Sequence, residues 1–175
     1  MLFVLDRDGV INVESAAFVK SPDEWIPLAN SIQAIAALSR AGHRVVVATN
    51  QSGVNRQLLS LTTLNLIHKK MMGIVEAAGG KIEKIYFCPH LPDENCVCRK
   101  PKPGMLQQIQ RDFHVPFEEM IVIGDSLRDL QAGKSLGCQL VLVKTGNGKK
   151  TALQLDQLIN VKVFDDLLAA VDVLK

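Results

Sequence analysis

Aromatic residues are scarce, 5% of the chain with one Trp and one Tyr, and no apolar run approaches the length of a membrane span, roughly 18 residues. Neither sign of charge predominates. The balance of 20 Lys and Arg against 18 Asp and Glu is too even to imply nucleic acid or an anionic membrane as a partner. The few aromatics do not interleave with basic residues, which argues against a nucleic-acid zinc knuckle. The short run at 2–5 lacks the length and charged flank of a signal peptide, so the expected location is cytosolic. Four cysteines are present, three of them within eleven residues, a clustering that in a reducing compartment suggests metal more than disulfides. What is abundant is apolar: 47% of 175 residues, which fits one domain spanning 1–175 with a real core, expected to be a monomer.

Apolar runs at 2–5, 44–48, 82–87, 120–123 and 139–143 are rich in Val, Ile, Leu or Phe, as buried parallel strands are. Helical spacing alternates with them. It is clearest at 62–79, where Leu64, Ile67, Met71, Ile74, Val75 and Ala78 recur before Gly79-Gly80, and it returns at 31–41 and 104–114. Beyond Gly148 the pattern predicts helices near 151–159 and 165–174 around a short strand at 161–164. This alternation predicts an α/β fold, a doubly wound, Rossmann-like parallel sheet with right-handed crossovers. Only about 20 residues separate "DRDGVI" from the first helix, so no cap domain is expected.

In such a sheet, ligands gather at the carboxyl ends of the strands. Those ends carry Asp6 and Asp8 in "LDRDGVIN", Thr49 and Asn50 in "VVVATNQSG", and Gly124 and Asp125 in "IVIGDSLRD". Each alone reads as a turn, the last with Asp125 or Ser126 as a helix cap. Together on one edge they form a set suited to a phosphate ester. One carboxylate can attack phosphorus, a second can move the leaving-group proton, and a third can help hold Mg²⁺. Lys100, beside Arg99 in "CRKPKPG", offers the positive charge an anionic nucleophile needs, and the Thr49 hydroxyl can donate to phosphoryl oxygens.

"CPHLPDENCVCRK" places Cys88, His90, Cys96 and Cys98 as C-x-H-x5-C-x-C, the ligand set of a structural Zn²⁺ site with no position left for water. Cys138 reads as a packed residue, and His43, His68 and His114, without ligand-spaced partners, read as surface or half-buried. "GNGKK" at 146–150 reads as a turn with solvated lysines.

The segments "LDRDGVIN", "TNQSG", "RKPKPG" and "GDSLRD" resemble the four motifs of the haloacid dehalogenase superfamily of phosphohydrolases, over residues 2 to about 146. The resemblance implies Asp6 as a nucleophile that becomes an aspartyl-phosphate, Asp8 as general acid then base, and Thr49 and Lys100 as phosphoryl binders. It implies Asp6, Asp8 and Asp125 as the Mg²⁺ site, with Asp8 contributing its backbone carbonyl. Because a halide leaving group needs no proton and an alkoxide does, Asp8 favours phosphate ester chemistry over dehalogenation.

Two families of the superfamily resemble this chain in the zinc loop, one acting on a sugar bisphosphate and one on histidinol phosphate. "TNQSGVNR", "RKPKPGML" and "GDSLRDLQAG" favour the sugar bisphosphate family. That resemblance implies a substrate site of Glu14, Ser15, Ala16, Ala17, Thr49, Asn50, Gln51, Ser52, Arg99, Lys100 and Ser126. Two departures stand out. Gln57 follows Arg56 where the family usually has glycine, and Ser15-Ala16-Ala17 replaces a more polar or glycine-containing stretch.

Overall fold

The computed structural model describes residues 1–158 and 160–175. Six parallel strands form one sheet in the order β3-β2-β1-β4-β5-β6, so β1 and β4 lie at its centre. They are β1 (Leu2–Leu5), β2 (Arg44–Asn50), β3 (Lys84–Cys88), β4 (Met120–Gly124), β5 (Gln139–Val143) and β6 (Val161–Phe164). The helices are α1 (Ala29–Arg40), α2 (Leu61–Ala77), α3 (Gly104–Phe113), α4 (Leu127–Lys134), α5 (Gly148–Ala152) and α6 (Leu167–Leu174).

Alternation along β1 divides the core. Phe3 and Leu5 pack with Ile35, Leu38, Leu64, Ile67 and Val171, burying α1, α2 and α6 against one face. Leu2 and Val4 pack with Leu106, Ile109 and Ala132, burying α3 and α4 against the other. Local chemistry sets the helix ends. The Ser60 hydroxyl accepts from Thr63 N at 3.0 Å to open α2, and the Asp166 carboxylate accepts from Ala169 N at 2.8 Å to open α6.

Several boundaries differ from the sequence pattern. β3 begins at Lys84 and runs to Cys88 because its register pairs Thr49 with Phe87 and Asn50 with Cys88, which brings the cysteine loop to the same edge as Asn50. α4 escaped the periodicity because it packs with small residues: Ala132 and Gly133 are buried, and a Cβ on Gly133 would lie 2.8 Å from a Leu140 methyl. The helix expected at 151–159 is instead α5 at 148–152 and a 3₁₀ turn at Leu155–Gln157, and residue 159 lies outside the described residues. Between β1 and α1 there are only turns and isolated bridges, so no cap domain covers the strand ends. Among the described residues no helix is long and apolar enough to cross a membrane.

Candidate active site

Asp6 leaves the end of β1 still pinned to its neighbour, its N–H donating to Ile123 O at 3.0 Å. Beside it lies Lys100, 4% exposed, with Nζ 3.0 Å from Asp6 Oδ1, 2.6 Å from Asp129 Oδ1 and donating to Ala48 O at 2.6 Å. Three acceptors use the three donors of an ammonium, as burial of that charge requires. Burial pulls Lys100 down, but Asp129 and Asp6 outweigh it and hold the group above its usual value. Asn50 grips the same residue by its backbone, Nδ2 donating to Lys100 O and Oδ1 accepting from Lys100 N, both at 3.0 Å. The Asn50 side chain, expected on the substrate, lines the cavity and also places Lys100.

Asp6, Asp125 and Asp129 each bring a carboxylate oxygen within 4.8 Å of the others. Burial first, then Asp129, Asp125 and Asp8, push Asp6 up to about 7 against the pull of Lys100. Burial likewise takes Asp125 to about 7, with Asp129 and Glu14 adding to it and hydrogen bonds from Asn147 opposing it. Such a crowd of hard oxygen donors fits Mg²⁺. Asp125 is held by Asn147, whose N–H reaches Oδ2 at 2.7 Å, and by Thr151, whose hydroxyl reaches Asp125 O at 2.8 Å. Gly9 is required here. It has φ +80, and a Cβ on it would collide with the Asp125 carboxylate.

Asp8 faces elsewhere. Arg7, fully buried, donates from Nη2 to Asp8 Oδ1 at 2.9 Å and Oδ2 at 3.1 Å, and from Nε to Oδ1 at 3.2 Å. Asn12 Nδ2 at 2.9 Å and Gln51 Nε2 at 2.8 Å complete the set. Burial would raise Asp8, but Arg7 and these amides outweigh it and hold the carboxyl below its usual range. Gln51 Nε2 also donates to Thr49 Oγ1 at 2.9 Å, joining Asp8 to the hydroxyl expected to hold the phosphoryl group.

A cavity of ≈ 420 Å³ opens over this floor, and its wall includes Glu14, Ser15, Ala16, Ser52, Arg99 and Ser126 as well as the residues above. Ala17 is not in that wall. Its carbonyl accepts from Lys20 Nζ at 3.0 Å, and Phe18 stands in the wall instead. Burial and the nearby Arg128 and Arg56 guanidiniums hold Arg99 below its usual value, so three guanidiniums share the cavity. Glu14 is pushed up to about 7 by burial and then by Asp8 and Asp6, with the Arg128 charge opposing the rise.

The sequence pattern did not single out Asp129, Asn147, Arg56, Arg128, Phe18 or Arg7. Asp129 had a legible signal, a second carboxylate four residues after Asp125, in the first turn of the helix that follows. Asn147 had another, a Gly-Asn-Gly stretch following the fifth strand at the same edge. "GNGKK" is therefore part of the site wall through Asn147 and not only a solvated turn.

Cys88, His90, Cys96 and Cys98 converge in one cluster. Cys88 Sγ lies 3.2 Å from Cys98 Sγ and 3.5 Å from Cys96 Sγ, and His90 Nδ1 lies 3.4 Å from Cys88 Sγ and 3.3 Å from Cys98 Sγ. A tetrahedron of ~2.3 Å Zn–S bonds has S···S edges of about 3.8 Å, so little expansion would admit the ion. Arg99 Nη1 donates to His90 O at 3.2 Å, tying the loop to the cavity.

A family model described as HAD-hydrolase-like matches residues 97–170. The chain is 51% identical, over 98% of its length and 96% of the relative's, to the D-glycero-beta-D-manno-heptose-1,7-bisphosphate 7-phosphatase of Bordetella bronchiseptica. It is 48% identical to the Pseudomonas putida protein of the same name, over 96% and 95%. The crystal structure of D,D-heptose 1,7-bisphosphate phosphatase from B. bronchiseptica, complexed with magnesium and phosphate, matches with a TM-score of 0.96 and 51% identity, over 99% of this chain and 97% of that one.

Proposed function

The chain belongs to the HAD-like phosphatases, in the family of the heptose 1,7-bisphosphate 7-phosphatases, and from that premise we propose how its own residues carry out the reaction. The enzyme removes the 7-phosphate of D-glycero-D-manno-heptose 1,7-bisphosphate, a step in supplying nucleotide-activated heptose for lipopolysaccharide. The observation that carries the assignment of roles is Asp6 beside a buried Lys100 at the floor of an open polar cavity.

Asp6 attacks phosphorus as the bond to the sugar oxygen breaks, and Asp8, which must first take up a proton against the pull of Arg7 as the anionic substrate enters, gives that oxygen its proton. Water then attacks the aspartyl-phosphate, its proton passing to Asp8 and Asp6 leaving as the free carboxylate. Thr49 meets the phosphoryl oxygens, and so does Lys100 through the donor that Asp6 releases as its carboxylate turns to phosphorus. A bound Mg²⁺ offsets the repulsion between carboxylate and phosphoryl group, and Asp6, Asp125 and Asp129 would hold it, with Asp8 adding only its backbone carbonyl. Zinc at the cysteine cluster would be structural, because protein ligands fill all four positions.

A bisphosphate brings a second dianion, and Arg99, Arg128 and Arg56 supply the fork-shaped donors that such a group takes bidentately. The same guanidiniums disfavour histidinol phosphate, which would present an amine and an imidazole. Small polar residues and the turn at Glu14, Ser15 and Ala16 complete the sugar site in place of a cap.

Replacing the nucleophile tests these roles. Asp6→Asn should keep the fold and lose turnover by at least ~10³-fold, since an amide is a poor nucleophile. Activity within tenfold of the parent would remove Asp6 from the mechanism.

A further inference from the structure

His68 sits on α2, outside every catalytic segment, yet it is 6% exposed and does not line the cavity. Its neighbours on that helix face, Leu64, Ile67 and Met71, are fully buried and apolar, so packing alone gives no reason for an imidazole there. The ring finds its polar partner in Arg7, with Nε2 at 3.2 Å from Nη1. The remaining hydrogen bonds of Arg7 run in the opposite direction, from Nε and Nη2 to Asp8 and from Nη2 to Gln51 Oε1 at 3.2 Å. A guanidinium is planar and turns only as a unit, so an acceptor at one edge fixes where the other edge points. Burial, and then the Arg7 charge, push the imidazole down to about 4, so at neutral pH Nε2 has a lone pair to offer.

We propose that His68 is a positioning residue for phosphoryl transfer: through Arg7 it holds the Asp8 carboxylate beside Thr49, where the leaving oxygen receives its proton. The proposal rests on the reading of Asp8 as general acid. Without the imidazole, a buried N–H of Arg7 loses its acceptor, and the guanidinium turns to find another. Asp8 turns with it. Loss of position at a proton donor costs most where the leaving group needs the proton, and least where it leaves well as an anion.

The experiment compares kcat/KM for heptose 1,7-bisphosphate with kcat/KM for p-nitrophenyl phosphate, whose phenolate departs unprotonated; this constant covers only the steps up to leaving-group departure, so the later role of Asp8 as base does not enter. His68→Leu should lower kcat/KM on the sugar phosphate by ~10- to 100-fold, and lower it less than about threefold on the aryl ester. His68→Gln, which keeps an acceptor for Arg7, should restore most of the loss. If His68→Leu does not fold, His68→Asn, whose amide stops one methylene short, takes its place with the same expectation. Equal losses on both esters, or no rescue in a folded His68→Gln, would overturn the proposal. Asp8→Asn serves as the reference and should show the same asymmetry, only larger. If it shows none, the general-acid reading falls and this proposal with it. Asymmetry in Asp8→Asn without any in the His68 variants overturns this proposal alone.

Discussion

Asp129 Oδ1 lies 2.6 Å from Lys100 Nζ, closer than Asp6, the proposed nucleophile, at 3.0 Å. Asp129 is 2% exposed, and its other oxygen accepts from Ser126 N at 3.1 Å and Ser126 Oγ at 2.6 Å, so the carboxylate is fixed at the start of α4. In the proposed mechanism it therefore aims Lys100 at the reacting phosphate and borders the cation site at once. Asp129→Asn should lower kcat by ~10²- to 10³-fold and weaken Mg²⁺, while circular dichroism stays native. A variant with near-parental kcat and unchanged Mg²⁺ dependence would show that Lys100 and Asp6 suffice.

Metal affinity should depend on pH. Asp6 and Asp125 are raised from 3.8 to about 7 by burial and neighbouring carboxylates. The sign follows: the stability these groups contribute to the metal-free fold is present below their unfolded value and is lost as pH rises toward 7, where the charges crowd together. Mg²⁺ relieves that crowding and must displace their protons at lower pH. Titration calorimetry should give binding ~10- to 100-fold tighter at pH 8 than at pH 6, with proton release at pH 6. Affinity flat across that window would contradict the raised values.

Zinc should be separable from catalysis. Metal analysis should find about one zinc per chain, and Cys96→Ser should lose it with a fall in Tm of several degrees. Because Arg99 is tied to His90 O, the variant should also lose activity while still requiring Mg²⁺. Activity that follows zinc and ignores Mg²⁺ would reverse the division of labour.

Much of this was legible because buried strands announce themselves by continuous apolar runs, and the polar residues that end them stand out. Asp6, Thr49 and Asp125 were read that way, and Lys100 was read as the positive charge an anionic nucleophile needs. What stayed hidden depends on contacts across the sequence. Arg7 lies between two aspartates, and nothing near it in sequence shows that His68, sixty-one residues on, reaches it. His68 is buried, contrary to its reading as surface or half-buried, because a lone histidine on an apolar helix face carries no sign of its partner. Gln57, noted where glycine is usual, has φ 59, so the usual glycine is explained by a left-handed backbone. Ala17, expected in the substrate site, is not among the residues of the cavity wall, and its carbonyl accepts from Lys20.

The most direct test of the whole account is a competition between heptose 1,7-bisphosphate and histidinol phosphate in Mg²⁺ buffer, followed by phosphorus NMR. The account predicts kcat/KM at least ~10²-fold higher for the bisphosphate, a preference of about 2.7 kcal/mol and within reach of charged hydrogen bonds to a second phosphate. The 7-phosphate signal should vanish while the 1-phosphate remains. Faster hydrolysis of histidinol phosphate, or release of the 1-phosphate first, would contradict it.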